Sequence, residues 1–360
     1  MSTERVMDAL EKIPYPGMQE DIVKLKLITN VQTHNGTASA TLCMPAVGSR
    51  LRAGLEAQIR EAMASVDGVD QVDLEVKEET LSHEYGQRNL IPNVRCIVAV
   101  SSGKGGVGKS TVTANLAIAL AHVGNKVGIL DADILGPSIP TMMGVERPVE
   151  LFGKRLIPAR NYGVYYISFG FFVKDKDPVI WRGPMIDGMI RQLLGDVDWQ
   201  DLDYLLVDLP PGTGDAQLSL SQLVKLDGAV AVTTPQDVAV ADVKKGMGMF
   251  LKVEVPILGV IENMSSFVCP SCGAETAIFS EGGGAMLASE YDVPLLGKVP
   301  LDPAVREGGD TGRPIVAADP DSPQAKRFVE IAQALSEQVT QANLRTGLTH
   351  VKPVFSLKQV

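Results

Sequence analysis

The chain is poor in cysteine, with four in 360 residues, at positions 43, 96, 269 and 272. That is too few for a disulfide framework at this length, so reduced or metal-bound thiols are the expected state. Histidine is as scarce, and His34, His83, His122 and His350 share no ligand spacing, which leaves them as surface or packing residues. Aromatic residues make up 5% against 45% hydrophobic overall, so aliphatic side chains must build the core. No apolar run approaches the roughly 20 residues that cross a bilayer. Met1-Ser2-Thr3-Glu4-Arg5 has no apolar signal segment either. No membrane partner is therefore expected, and the cytoplasm is the expected compartment. A basic excess is also missing: the net charge of −10 argues against nucleic acid held by counterion release.

What the chain does have is the stretch Gly103-Lys104-Gly105-Gly106-Val107-Gly108-Lys109-Ser110-Thr111, which satisfies the phosphate-binding pattern G-x-x-x-x-G-K-[ST]. The β-branched run Cys96–Val100 precedes it, and the small, apolar run Val112–Ala121 follows it. Strand, glycine loop and helix are the context the motif needs. Glycines let backbone N–H groups turn toward phosphate oxygens, and the helix adds its positive end. Lys109 is placed to meet the β- and γ-phosphates, and Ser110 to offer its hydroxyl to Mg²⁺. The guanine motif Asn/Thr-Lys-x-Asp is absent, which tilts the base toward ATP. Lys104 adds a second lysine inside the loop. With it, the loop resembles the deviant Walker A loop of the MinD/ParA/nitrogenase-iron-protein class of dimerising ATPases. That resemblance implies a homodimer, with Lys104 reaching the partner's ATP.

At this length two domains fit. Residues 1–79 read as a small α/β unit of order αββαβ. It comprises a helix near Arg5–Ile13, strands carrying Leu25, Leu27, Ala38, Ala40 and Leu42 around the Asn35-Gly36 turn, a helix with Leu51, Leu55 and Ile59 on one face, and a strand with Val72, Leu74 and Val76. Residues 80–94 are polar and read as a linker. From 95 to 343 strands and helices alternate, which predicts a mostly parallel, doubly wound sheet with its ligands at the carboxyl ends of the strands. Residues 344–360 read as a tail without periodicity. The N-terminal unit resembles the small domain found ahead of the ATPase in bacterial iron–sulfur carriers, in degenerate form. Tyr15-Pro16-Gly17 stands where Asp-Pro-Glu is usual, and Val47 where a cysteine is usual. No cluster role is carried over, and Cys43 reads as a small core residue.

Later strands end in residues that suit the same site. Leu130-Asp131-Ala132-Asp133 supplies two carboxylates that could orient water or cap a helix. Resemblance to the class favours Asp133, acting on the attacking water. Leu205-Leu206-Val207-Asp208 is a Walker B pattern, with Asp208 holding Mg²⁺ through water and Gly212 letting the following loop approach the γ-phosphate. In the class, Asn263, Pro300 and Asp302 stand where residues flank adenine, although Asn263 also suits a turn. Trp181–Met185 offers no chemistry and reads as structural.

Cys269-Pro270-Ser271-Cys272-Gly273 spaces two thiols for one metal centre, and a single chain offers no second pair. Two copies would supply the four thiolates of a [4Fe–4S] cluster, or equally of a bridging zinc. The spacing does not choose between them. The ordered motifs over roughly 95–340 resemble the Mrp/ApbC iron–sulfur cluster carriers, which implies a labile cluster bridged by Cys269 and Cys272 of both subunits and passed to apo iron–sulfur proteins. A MinD/ParA-like positioning ATPase with structural zinc is the alternative, but it requires a terminal amphipathic or basic element and none is evident. An electron donor like the nitrogenase iron protein uses two cysteines far apart in sequence, unlike this adjacent pair.

Overall fold

A computed structural model of the chain describes residues 3–44, 50–78, 90–134, 136–145, 149–153, 155–172, 183–212, 214–269 and 271–345. It divides into two compact units, 1–84 with 340–360, and 85–339.

The N-terminal unit runs α1 (Thr3–Leu10), β1 (Ile28–His34), β2 (Thr37–Met44), α2 (Arg50–Ala64) and β3 (Gln71–Glu78). The expected αββαβ order is present. The Asn35-Gly36 turn has φ of 46° and 79°, the left-handed pair that a two-residue hairpin needs. β1 and β2 are antiparallel, while β2 and β3 are parallel and joined through α2. Leu25 lies in a turn before β1 and Leu27 in the connection that follows it, and neither is in a strand. Val6, Leu10, Leu42, Leu55 and Ile59 form the core, and Cys43 is buried at its edge. Val47 lies outside the described residues. Leu344 belongs to this same core, so the end of the last helix is part of this unit and the tail does not begin at 344.

The second unit opens with β4 (Val94–Ser102), α3 (Lys109–His122), β5 (Val127–Asp131), α4 (Ile139–Met142), β6 (Glu150–Phe152), β7 (Arg155–Ile157), β8 (Ala159–Asn161) and β9 (Val164–Ser168). Next come α5 (Gly183–Gly195), β10 (Leu202–Asp208), α6 (Asp215–Leu223), β11 (Gly228–Thr233) and α7 (Asp237–Lys252). It closes with β12 (Ile257–Val268), β13 (Glu275–Thr276), α8 (Gly283–Glu290), β14 (Leu295–Leu301), α9 (Pro303–Asp310), α10 (Ile315–Ala318) and α11 (Pro323–Arg345). Most of the expected linker, 80–89, lies outside the described residues; Ile91 and Val94 toward its end are buried in the core.

The sheet order is β13-β12-β11-β4-β10-β5-β9-β8, with β14 also on β12. Among the described strands of this sheet, only β13 and β8 pair antiparallel. The central strands are apolar throughout because both faces are covered. Ile97, Ala99, Leu205 and Val207 share one core with Leu193 of α5 and Leu220 of α6. Tyr204, pointing to the other face, exchanges a hydrogen bond of 2.9 Å with Ser336 of α11. Helix α3 has no polar stripe: Val112, Ala114, Leu116, Ala117 and Ile118 are all buried, as expected for a helix enclosed on all sides. Strand β9 was not expected; its signal is the run Val164-Tyr165-Tyr166-Ile167 after a left-handed Tyr162-Gly163 turn.

Candidate functional site

The parallel register decides what meets at the carboxyl edge of the sheet. Asp208 ends β10 opposite Val100 of β4 on one side and Asp131 of β5 on the other. The glycine loop begins just past β4, so Lys109 and Ser110, at the start of α3, stand over both carboxylates. Lys109 Nζ donates to Asp208 Oδ2 at 2.6 Å and lies 3.5 Å from Asp133 Oδ2. Ser110 Oγ donates to the same Asp208 oxygen at 2.6 Å, and Thr113 Oγ1 to the other at 2.6 Å. Thr113 was not anticipated; its signal was its place one helical turn after Lys109.

Two carboxylates on neighbouring strands cannot both be charged cheaply when only one has a cation. Asp208 takes Lys109. Asp131 is wholly buried, and burial first, then the Asp208 charge, pushes its carboxyl up to about 7. Its bonds from Ser168 Oγ at 2.8 Å and Ile139 N at 3.3 Å hold the group in place. The native state therefore binds a proton there that the unfolded chain releases near pH ~4, so this group's contribution to stability falls as pH rises from ~4 through ~7. The thermal midpoint of nucleotide-free protein should drop between about pH 5 and pH 8, and Asp131→Asn should flatten that drop. An unchanged slope in the variant would place the proton elsewhere.

Asp133 is raised by burial, and Lys109 opposes the shift. Its Oδ1 is buried without a hydrogen-bond partner among the described residues. The Ser110 hydroxyl and the Asp208 carboxylate are oxygen donors of the kind a hydrated Mg²⁺ takes.

The loop itself is held from two sides. Gly108 has φ 80° and caps α3, and a Cβ there would stand 2.2 Å from Asn263 Nδ2. Asn263 lies inside β12, not after its strand, and its amide donates to the Val107 carbonyl at 2.8 Å. It braces the loop. Gly103 packs against α7 so closely that a Cβ would meet Val243 N at 2.1 Å and the Asp242 carbonyl carbon at 2.3 Å. Helix backbone cannot yield there, so Gly103→Ala should cost about 3 kcal/mol, the upper end for overpacked sites. Urea unfolding checks this: a midpoint equal to wild type would mean the loop moves off α7 freely.

Lys104 Nζ donates to Gln236 Oε1 at 3.3 Å. Pro300 lies within β14, and Asp302 caps α9 by accepting from Ala304 N at 2.7 Å and from the Gln324 amide. The described residues lining the cleft over the loop include Asp133, Gly136, Ser138 and Pro211, but none of Asn263, Pro300 and Asp302. Gln217, unanticipated and fully buried, ties the loop after Asp208: its amide donates to the Pro210 and Gly212 carbonyls at 2.9 and 3.0 Å and accepts from Gly214 N at 2.8 Å. Trp181 and Arg182 lie outside the described residues; the rest of that motif opens α5.

Cys269 and Cys272 sit at the tip of the β12–β13 hairpin. Gly273 N donates to the Cys269 carbonyl at 2.8 Å and Cys269 N to the Ala274 carbonyl at 3.0 Å, closing the turn. The Cys269 thiol is lowered by hydrogen bonds from the Ser271 N–H first, then the Cys272 N–H and the Cys272 thiol. Both thiols reach the surface, Cys272 the more. Among the described residues, no three His, Cys, Asp or Glu side chains converge on a metal position.

The sheet order, the loop and the Asp208–Lys109–Ser110 cluster define a P-loop NTPase of the MinD/ParA-like class. The family model described as the NUBPL iron-transfer P-loop NTPase matches residues 93–336, and an iron–sulfur cluster assembly protein model matches 3–74. The chain belongs to the NUBPL iron-transfer P-loop NTPase family. It is 43% identical to an iron–sulfur cluster carrier protein of Synechocystis, over 96% of this chain and 99% of that one. A protein of the same description from Escherichia coli is 42% identical over 93% and 91%. Among solved structures, a nucleotide-binding protein in complex with ADP from Archaeoglobus fulgidus is 43% identical, with TM-score 0.57 over 66% of this chain and 92% of that one. The cell division ATPase MinD of Pyrococcus furiosus is 25% identical, with TM-score 0.50 over 67% and 98%. No helix among the described residues is long and apolar enough to cross a membrane.

Proposed function

We propose that this protein carries iron–sulfur clusters to apo iron–sulfur proteins in the cytoplasm and hydrolyses ATP in doing so. The cluster is of the [4Fe–4S] type, held between two copies of the chain by Cys269 and Cys272 of each. The observation that carries this reading is the half-set of ligands: a thiol pair at the tip of a hairpin, with no third ligand converging on it among the described residues, in a chain with a complete phosphate loop. Cluster sulfur ligands must be thiolates, and the Ser271 and Cys272 N–H groups that lower the Cys269 thiol favour that form. Similarity to proteins named as cluster carriers supports the same cargo.

In the nucleotide site, loop N–H groups and Lys109 bind the β- and γ-phosphates. Mg²⁺, when bound, neutralises charge that builds on those phosphates, and Ser110 and Asp208 would hold it. Asp133 orients the attacking water and accepts its hydrogen bond. Lys104 serves the partner's nucleotide, so hydrolysis requires the homodimer.

Metal analysis after purification without oxygen tests the cargo. Iron with sulfide, about four of each per dimer, is expected. Zinc without sulfide would overturn the carrier reading in favour of a structural site.

A further inference from the structure

The Lys104–Gln236 hydrogen bond reaches beyond the nucleotide site. Gln236 Oε1, which accepts from Lys104 at 3.3 Å, also accepts from Thr234 Oγ1 at 3.1 Å. Gln236 closes the short segment 234–236 between β11 and α7. A lysine of the phosphate loop is thus tied to a segment 132 residues further along the chain.

That same segment carries the feet of the thiol hairpin. On the returning side, Gly283 opens α8 against the Pro235 carbonyl, whose oxygen stands 2.5 Å from where a Cβ on Gly283 would be. On the outgoing side, Glu262 is 1% exposed and accepts from Gly284 N at 2.6 Å, with a Cβ on Gly284 only 2.8 Å from its own Cβ. Glu262 also stands in register with Thr233, next to the segment. From Glu262, β12 continues to Val268, with Met264 in the left-handed region at φ 55° and a register shift against β14 between Asn263 and Phe267, and Cys269 follows. No flexible side chain lies between the Pro235 backbone and Gly283. Close-packed contacts of this kind pass a displacement on and do not absorb it.

We infer that Gln236 is a positioning residue that couples Lys104 to the thiol hairpin. While Lys104 is held by Gln236 of its own chain, the segment sits against Gly283 and the hairpin has one setting. When Lys104 leaves Gln236 for a nucleotide phosphate, the segment loses its tether, the feet of the hairpin shift, and the access of reagents to Cys269 and Cys272 changes. This rests on the nucleotide-site reading above, but not on the identity of the cargo.

The test is the alkylation rate of the reduced, metal-free full chain by iodoacetamide, with and without Mg–ATP, read by mass spectrometry of the 269–272 peptide. Cys43 and Cys96 are buried at 6% and 0% exposure and stay out of the fast phase. Mg–ATP should change the wild-type rate by about 2- to 30-fold, the size of coupling between linked sites. Gln236→Ala should bring the nucleotide-free rate to the nucleotide-bound value and erase the response, while it binds a fluorescent ATP analogue at least as tightly as wild type. Gln236→Glu keeps an acceptor for Lys104 and should keep the response. A Gln236→Ala protein that responds like wild type overturns the inference, as does a wild type that binds the analogue without any change in rate. Failure of wild type to bind the analogue removes the nucleotide reading and this inference with it, and the binding measurement identifies that case.

Discussion

Protein carrying both Cys269→Ala and Cys272→Ala should take up no iron or sulfide on anaerobic loading, while its ATPase rate without cluster stays near wild type. The change removes every thiolate a bridged cluster would use, because the other two cysteines are buried in strands, Cys43 in β2 and Cys96 in β4. Each single variant would leave two thiolates per dimer and should lose most of the bound iron, since such a pair closes only half the coordination of a four-iron cluster. The folded core should be little disturbed, because the hairpin tip is at the surface and neither thiol packs into a core cluster. Iron and acid-labile sulfide assays, with light scattering for the mass of the loaded species, check the result. Retention of the full iron and sulfide content by the double variant would falsify the bridging assignment, and so would a loaded wild type that is monomeric.

Lys109→Ala should have the second large effect, on two measurements at once. Lys109 is 6% exposed and Asp208 fully buried, joined at 2.6 Å. Removing one partner of a buried ion pair leaves an uncompensated charge and costs ~3–5 kcal/mol. The two hydroxyls of Ser110 and Thr113 remain on Asp208 and soften that cost, so the lower end is expected. Hydrolysis should fall as well, by ~10²–10³-fold or more in kcat, the scale for losing one preorganised donor to developing charge. Denaturant unfolding and steady-state turnover separate the two effects. A variant that loses stability yet hydrolyses ATP at the wild-type rate would remove Lys109 from the phosphate site.

These expectations draw on two kinds of information. The phosphate loop and its flanking elements were legible because the motif is local: glycine positions, the apolar strand before it and the small-residue helix after it all lie within 94–122. The N-terminal αββαβ order was legible for the same reason, through alternation and the Asn35-Gly36 turn. The base-flanking residues were less so. Asn263 and Pro300 lie inside strands longer than their apolar runs suggested, since β12 continues past a break in its ladder at 264–266 to pair Phe267 with Leu301 of β14. The stretch from α4 to β9 was also opaque, because its short strands are only three to five residues long and carry little periodicity.

The sequence by itself determined that this chain folds a phosphate loop, presents two carboxylate-bearing strand ends and holds a thiol pair, since each depends on spacing over a few residues. Only the tertiary structure decided which of those groups meet. Strand order β4-β10-β5 sets Asp131 beside Asp208, so that one carboxyl keeps a proton and the other takes Lys109. The same sheet brings β11 and β12 together and, through Gln236 and Gly283, connects Lys104 with the base of the thiol hairpin. Such meetings depend on how strands are ordered across the sheet, and no pattern along the chain encodes that order locally.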